Sequence, residues 1–189
     1  MMMISAVLDA CILYPAPLRD FLLRLAEDKL FFPLWTEKIR DEWIDNLLRR
    51  RPDLKRENLE RTRRQMDFHF PDSLVHGYEP ITPTLTLPDP NDCHVLAAAV
   101  HAKTKYIVTF DLNHFPNAIL QPCNIEALSP DEFVLRLIQQ YPKRVLATAQ
   151  FHRLRLTRPP KTVDEYLTTL EKQGLSDTVA FLREHKDAV

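Results

Sequence analysis

Glycine is nearly absent from this chain: Gly77 and Gly174 are the only two in 189 residues. P-loops and dinucleotide fingerprints each need several glycines where backbone approaches phosphate, so both are excluded. Cysteine is scarce as well. Cys11, Cys93 and Cys123 form no C-x-x-C pair, and three cannot all pair within one chain. They read as reduced thiols of a cytoplasmic protein. An excess of one charge sign is also missing, since the formal net charge is −1. Any surface for a polyanion must therefore come from local clustering. No apolar run reaches the ~18 residues that a membrane span needs. The opening MMMISAVLDACILYP is apolar, but it lacks a basic leader and Asp9 interrupts it, which argues against a secretory signal.

What is present is ordinary globular composition, 45% apolar and 27% charged, in a chain long enough for one compact domain and a small appendage. Residues 3–8 form a short apolar run ending at Asp9 and read as a buried strand. Leu18, Leu22 and Leu25 give residues 18–29 helical spacing. Residues 30–35 read as a connector or short strand. Thr36 is placed to cap a helix over 37–50, whose buried row is Ile39, Trp43 and Leu47. A further helix is expected over 53–68. The Pro- and Thr-rich stretch 79–90 suggests an extended segment, the alanine-rich 91–103 a well-packed helix, and 106–110 a second strand ending at Asp111.

Apolar strands alternating with helices favour an α/β fold with a parallel sheet. Beyond residue 128 the pattern turns wholly helical, with capping boxes at Ser129-Pro130-Asp131-Glu132 and Thr162-Val163-Asp164-Glu165 and a helix over 176–185 after Gly174. The expected division is 1–128 and 129–189.

The chemistry-bearing residues are acids. In open α/β sheets ligands bind beyond the carboxyl ends of the strands, and Asp9 and Asp111 each follow a strand directly. Asp92 opens a helix, where the dipole favours a carboxylate. Glu42 shares a helix with Asn46 at i, i+4. Carboxylate oxygens are hard ligands suited to Mg²⁺ or Mn²⁺, and clustered without a cation they repel one another. Each acid also has a plain structural reading: Asp9 and Asp111 as turn residues, Glu42 as part of a solvated face with Asp41 and Asp45, and Asp92 as a helix cap alongside Asp89 or Asn91. His94 and His101, with Cys93, do not have zinc spacing and read as packing residues.

Taken together, the segments AVLDACIL, TEKIRDEWIDNL, DPNDCHVLAAAV and YIVTFDLNHFP resemble the four motifs of PIN-domain ribonucleases of the VapC toxin type, over about residues 3–128. The resemblance implies an α/β/α sandwich around a mainly parallel sheet, here with a small C-terminal helical extension. It implies a metal-dependent endoribonuclease in which Asp9, Glu42, Asp92 and Asp111 hold Mg²⁺ or Mn²⁺. Thr109, Asn113, Asp89 and Asn46 are expected around them as supporting residues. A cognate antitoxin and a homodimer are implied partners.

For RNA to reach an acidic site, basic residues are needed. The stretch 49–64 carries eight basic residues against three acids, and 151–161 carries Arg153, Arg155, Arg158 and Lys161 without an acid. Arg49, Arg50, Arg51, Arg153, Arg155 and Arg158 are the expected phosphate contacts, against the plain reading of a solvated basic face. Two other functions remain open at this level: a PIN fold kept as a binding module with its metal site unused, and a related Mg²⁺-dependent DNA nuclease.

Overall fold

A computed structural model describes residues 3–189. Four strands, β1 (Ser5–Leu8), β2 (Phe32–Leu34), β3 (Tyr106–Val108) and β4 (Glu126–Leu128), form an all-parallel sheet in the order β2-β1-β3-β4. Ala6, Val7 and Leu8 of β1, and all of β3, are buried. Helices therefore cover both faces of the sheet, as continuous apolar strands require.

The helices in chain order are α1 (Ala10–Leu13), α2 (Ala16–Glu27), α3 (Glu37–Arg50), α4 (Arg56–His69), α5 (Cys93–His101), α6 (Asn117–Leu120), α7 (Pro130–Gln140), α8 (Pro142–Arg155), α9 (Val163–Glu171) and α10 (Ser176–Glu184). The chain leaves β1 for β2 on one side and later supplies β3 on the other. That reversal opens a crevice beyond the carboxyl ends of β1 and β3.

The caps follow the sequence signals. The Thr36 hydroxyl accepts from Ile39 N at 3.1 Å, and both capping boxes are closed. One expectation is corrected. Residues Glu79–Thr84 form a 3₁₀ helix, not an extended segment. Pro80 suits its first turn, and the bonds Ile81 N to Tyr78 O and Leu85 N to Thr82 O span three residues. The Thr84 hydroxyl also donates to Ile81 O. Threonine and proline disfavour an α-helix here without disfavouring this tighter turn.

The basic stretch has a structural use that its composition concealed. Arg63 of α4 pairs with Glu37 and Asp41 of α3, and Arg56 pairs with Asp45. In the other direction Arg40 of α3, 3% exposed, reaches Asp67 of α4. Much of the positive charge of α4 thus holds it to α3.

The C-terminal helices are built into the core. Phe133 of α7 is fully buried and meets Phe31 edge-on at 4.9 Å and Tyr106 at 6.1 Å. Helices α8 and α9 pack on α2, and α10 packs on α7 and α9. Asp131, in the first turn of α7, accepts from the backbone N–H groups of Asp177 and Thr178 and so caps α10.

Truncating Phe133 should then disturb both halves. Phe133→Ala is expected to cost about 3–5 kcal/mol, the usual loss for a buried Phe. Both tryptophans, Trp35 and Trp43, lie far from α7 in sequence. Their fluorescence should report a lowered unfolding midpoint coincident with that seen by circular dichroism. A tryptophan transition left at its wild-type midpoint would show that the two parts unfold separately.

Candidate metal centre

Asp9 sits where β1 ends and α1 begins, 6% exposed. Its backbone N–H continues the sheet by donating to Val108 O, so strand pairing fixes its position. One carboxylate oxygen accepts from Ala10 N at 2.6 Å, and the other accepts from the Thr109 hydroxyl at 2.7 Å and the Cys11 thiol at 3.3 Å. Burial nevertheless raises its pKa above the usual carboxylate value, against those hydrogen bonds, and the charge of Asp111 adds to the rise. The Cys11 thiol is pushed up as well, by burial and by Asp9. It stays protonated and acts as a donor to the carboxylate.

Asp111 follows β3 after Thr109 and Phe110, and is exposed. Its N–H donates to the Thr109 hydroxyl at 3.1 Å, so Thr109 ties the two acids together. Asp92 ends a 3₁₀ turn (Pro90–Asp92) that leads into α5. Its pKa is raised by burial and by the charges of Asp9 and Asp89. Asp89 itself caps that turn through Asn91 N at 2.9 Å.

The candidate ligands form two groups of donors. Asp9, Cys11 and Asp111 offer ligand atoms within 4.8 Å of one another, and so do Asp89, Asp92 and His114. Asp9 raises the pKa of Asp92 and Asp111 raises that of Asp9, which links the groups electrostatically. The donors fit a hard divalent cation. They are chiefly carboxylate oxygens, and burial without a cation opposes the ionisation of Asp9 and Asp92.

Glu42 lies on α3. Its carboxylate lies 3.1 Å from His94 Nε2 and 3.9 Å from the Lys38 ammonium. His94 is buried on α5, two residues after Asp92, so this pair joins Glu42 to the helix that the crevice acid opens. The other expected supporting residues are dispersed. Asn46 accepts from Arg49 on the exposed side of α3. Asn113 lines a neighbouring cleft beside Leu112.

Among the expected RNA contacts, Arg49 is thus engaged with Asn46. Arg50 lies over the Tyr14 ring, and Arg51 pairs with Asp53. Arg153 donates to Val189 O and Lys161 O, which gives it a structural task at the C-terminus. Arg155 stacks on Phe151 and, like Arg158, is exposed.

Three residues escaped the sequence reading. His114 Nδ1 meets Asp92 at 2.7 Å, and that hydrogen bond raises the pKa of the imidazole. The signal was its place three residues after Asp111, on the 3₁₀ turn Leu112–His114. Cys11 lies two residues after Asp9, across the first turn of α1. His94 was read as packing, and its partner Glu42 is distant in sequence.

A carboxylate whose folded pKa is raised favours its protonated form, so stability falls as pH rises from the unfolded value of 3.8 through the folded one. In the absence of divalent cations Asp9→Asn should therefore stabilise the fold at pH 7, by about 0.5–2 kcal/mol, as relief of a strained functional site commonly does. The gain should vanish below pH 3.8. Added Mn²⁺ should reverse the ranking, since saturation to a hundred times Kd contributes about 2.7 kcal/mol. Calorimetric melts of both proteins over pH and Mn²⁺ check this. A wild-type midpoint that ignores Mn²⁺ would remove the cation from the site.

Comparison with known proteins agrees with this geometry. A family model described as PIN domain matches residues 5–113, and one described as VapC50 C-terminal domain matches residues 130–184. A curated protein of Mycobacterium tuberculosis (strain ATCC 25618 / H37Rv), described as "Putative ribonuclease VapC50", is 39% identical over 82 residues, 43% of this chain and 48% of that protein. The matched stretch spans about half the length of that relative. No solved structure matches. With the acid-lined switch point of its parallel sheet and a PIN model covering more than half its length, the chain belongs to the PIN-domain family, carrying a C-terminal segment of the VapC50 type.

Proposed function

We propose that this chain is a metal-dependent endoribonuclease, the toxin of a type II toxin–antitoxin pair, acting on RNA phosphodiester bonds with Mg²⁺ or Mn²⁺. The observation that carries the reading is the pair of acidic groups, Asp9 with Asp111 and Asp92 with Asp89, close enough that the charge of Asp9 raises the pKa of Asp92, while burial raises that of both. The name of the mycobacterial relative supports RNA as the substrate. Membership of the family supports an antitoxin that covers the acids, and a homodimer. Among the described residues no helix is long and apolar enough to cross a membrane, and we take the site of action to be the cytoplasm.

In this reading Asp9, Asp92 and Asp111 hold the cation, with Asp89 beside them. A cation bound there supplies Lewis acidity to the scissile phosphate and acidifies water. The chain's own groups set the stage for it. Ala10 N–H and the Thr109 hydroxyl fix both oxygens of Asp9 in advance. The Cys11 thiol, kept protonated, adds a third donor. His114 holds Asp92 through Nδ1, and that hydrogen bond raises the pKa of the imidazole. Glu42, anchored by His94, orients the attacking water. Arg155 and Arg158, with Arg49, Arg50 and Arg51, are the exposed cations available to the RNA backbone.

Incubation of a cellular RNA pool with the protein, followed by mapping of new ends, tests the reading. Wild type should cut with Mg²⁺ or Mn²⁺ and stop with chelator. Loss of a supporting hydrogen bond in Thr109→Val should cost about 10–100-fold, as outer-shell changes at metal sites do. Asp9→Asn and Asp111→Asn should fall further. Cutting by Asp9→Asn at the wild-type rate would overturn the assignment.

A further inference from the structure

A cleft of about 860 Å³ lies along the outer strand β4, between that strand and the segment joining β3 to β4. Its wall begins with Leu112 and Asn113, directly after Asp111. Four carboxamides line it, Asn113, Asn117, Gln121 and Asn124, and all four are exposed to solvent. They come from the twelve residues 113–124, of which the acid site uses His114.

The cleft is uncharged in effect. Glu126 on its wall is paired with Arg136, and Glu132 is taken up by the Ser129 capping box. Lys105 stands at the end of the cleft remote from Asp111, where β3 begins. Between them Phe115 and Ile125 add apolar lining. Such a surface neither repels a polyanion nor grips it by charge. A carboxamide offers two donors and an acceptor in one plane, the pattern that matches the edges of nucleobases. Proteins that read RNA sequence do so mainly on unpaired bases turned out of the stack. The volume lies in the range of small-molecule sites, larger than a single base requires.

We infer that this cleft reads bases of single-stranded RNA next to the cleaved phosphate, with Asn117 and Gln121 as specificity-determining residues, flanked by Asn113 and Asn124. The inference rests on the ribonuclease reading above and adds to it a base-recognition site. Asn124 adopts φ +55°, a conformation that asparagine tolerates better than most residues. It is left unaltered in the test for that reason.

The test uses full-length protein carrying Asp9→Asn, so that RNA is bound in Mg²⁺ without being cut. Fluorescence anisotropy with ten-nucleotide A, C and U homopolymers, and with an abasic oligomer, gives the ratio of best to worst base. Adding Asn117→Ala and Gln121→Ala should shrink that ratio by about 5- to 150-fold, the discrimination of one bidentate amide–base pair. Affinity for the abasic oligomer should hold. Should the alanine pair lower the melting midpoint, Asn117→Asp with Gln121→Glu keeps the side-chain shapes while removing the amide donors, and should reorder the base preference. A ratio and ranking unchanged in both variants would overturn the inference, and would leave the cleft to another occupant such as an extended polypeptide beside β4. If wild-type protein still cuts RNA in that case, only the cleft assignment falls. If wild type neither binds nor cuts RNA, the ribonuclease reading and the cleft assignment fall together.

Discussion

A carboxylate is held almost out of water at the end of a central strand, and much of the molecule serves that placement. Asp9 N–H closes the ladder with Val108 O, so the position of the acid follows from the pairing of β1 with β3. Burial makes its charge unfavourable, and three donors from Ala10, Cys11 and Thr109 only partly compensate. The balance left over is a standing demand for positive charge. Thr109 transmits that demand, because its hydroxyl donates to Asp9 and accepts from the Asp111 backbone. Moving β3 by one residue would turn Thr109 to the other face of the sheet and part the two acids.

The C-terminal helices bear on the same constraint from behind. Phe133 fills the space between Phe31, just before β2, and Tyr106 of β3. These neighbours flank the strands that carry the acids, so the helices help to set the strand register. Asp131 capping α10, and Arg153 binding the carbonyl of the last residue, tie the far end of the chain to α7 and α8. Asp131, part of a capping box in the sequence, thus also fastens α7 to α10, and Arg153, an expected phosphate contact, also holds the carbonyls of Lys161 and Val189.

Strands β1 and β3 and the capped or strongly patterned helices were legible because they rest on local signals, whereas the three-residue strand β4 was not. An apolar run ending in Asp, a capping box, or an alanine-rich helix each declares itself within a dozen residues. What was hidden depends on contacts remote in sequence. His94 looks like packing until α3 brings Glu42 to it. The composition of the stretch 49–64 does not reveal that two of its arginines, Arg56 and Arg63, pair with acids of α3. The 3₁₀ helix at Glu79–Thr84 was missed for a different reason. Proline and threonine argue against an α-helix and are equally compatible with extended and 3₁₀ backbone.

The fate of those arginines bears on how a chain of net charge −1 could handle a polyanion. Ion pairs between α3 and α4 take up Arg40, Arg56 and Arg63. The rest of the basic stretch, Lys55, Arg61 and Arg64 among it, stays exposed to solvent, and on the ribonuclease reading it can meet phosphates, contacts that carry salt dependence but no sequence information. Discrimination must then come from contacts that do not depend on charge. Beyond Asp111 the chain supplies carboxamides on the wall of a cleft whose acids are already partnered. In the proposed reading the basic residues meet phosphates, which are the same in every sequence, and the neutral amides meet the flanking bases, which are not.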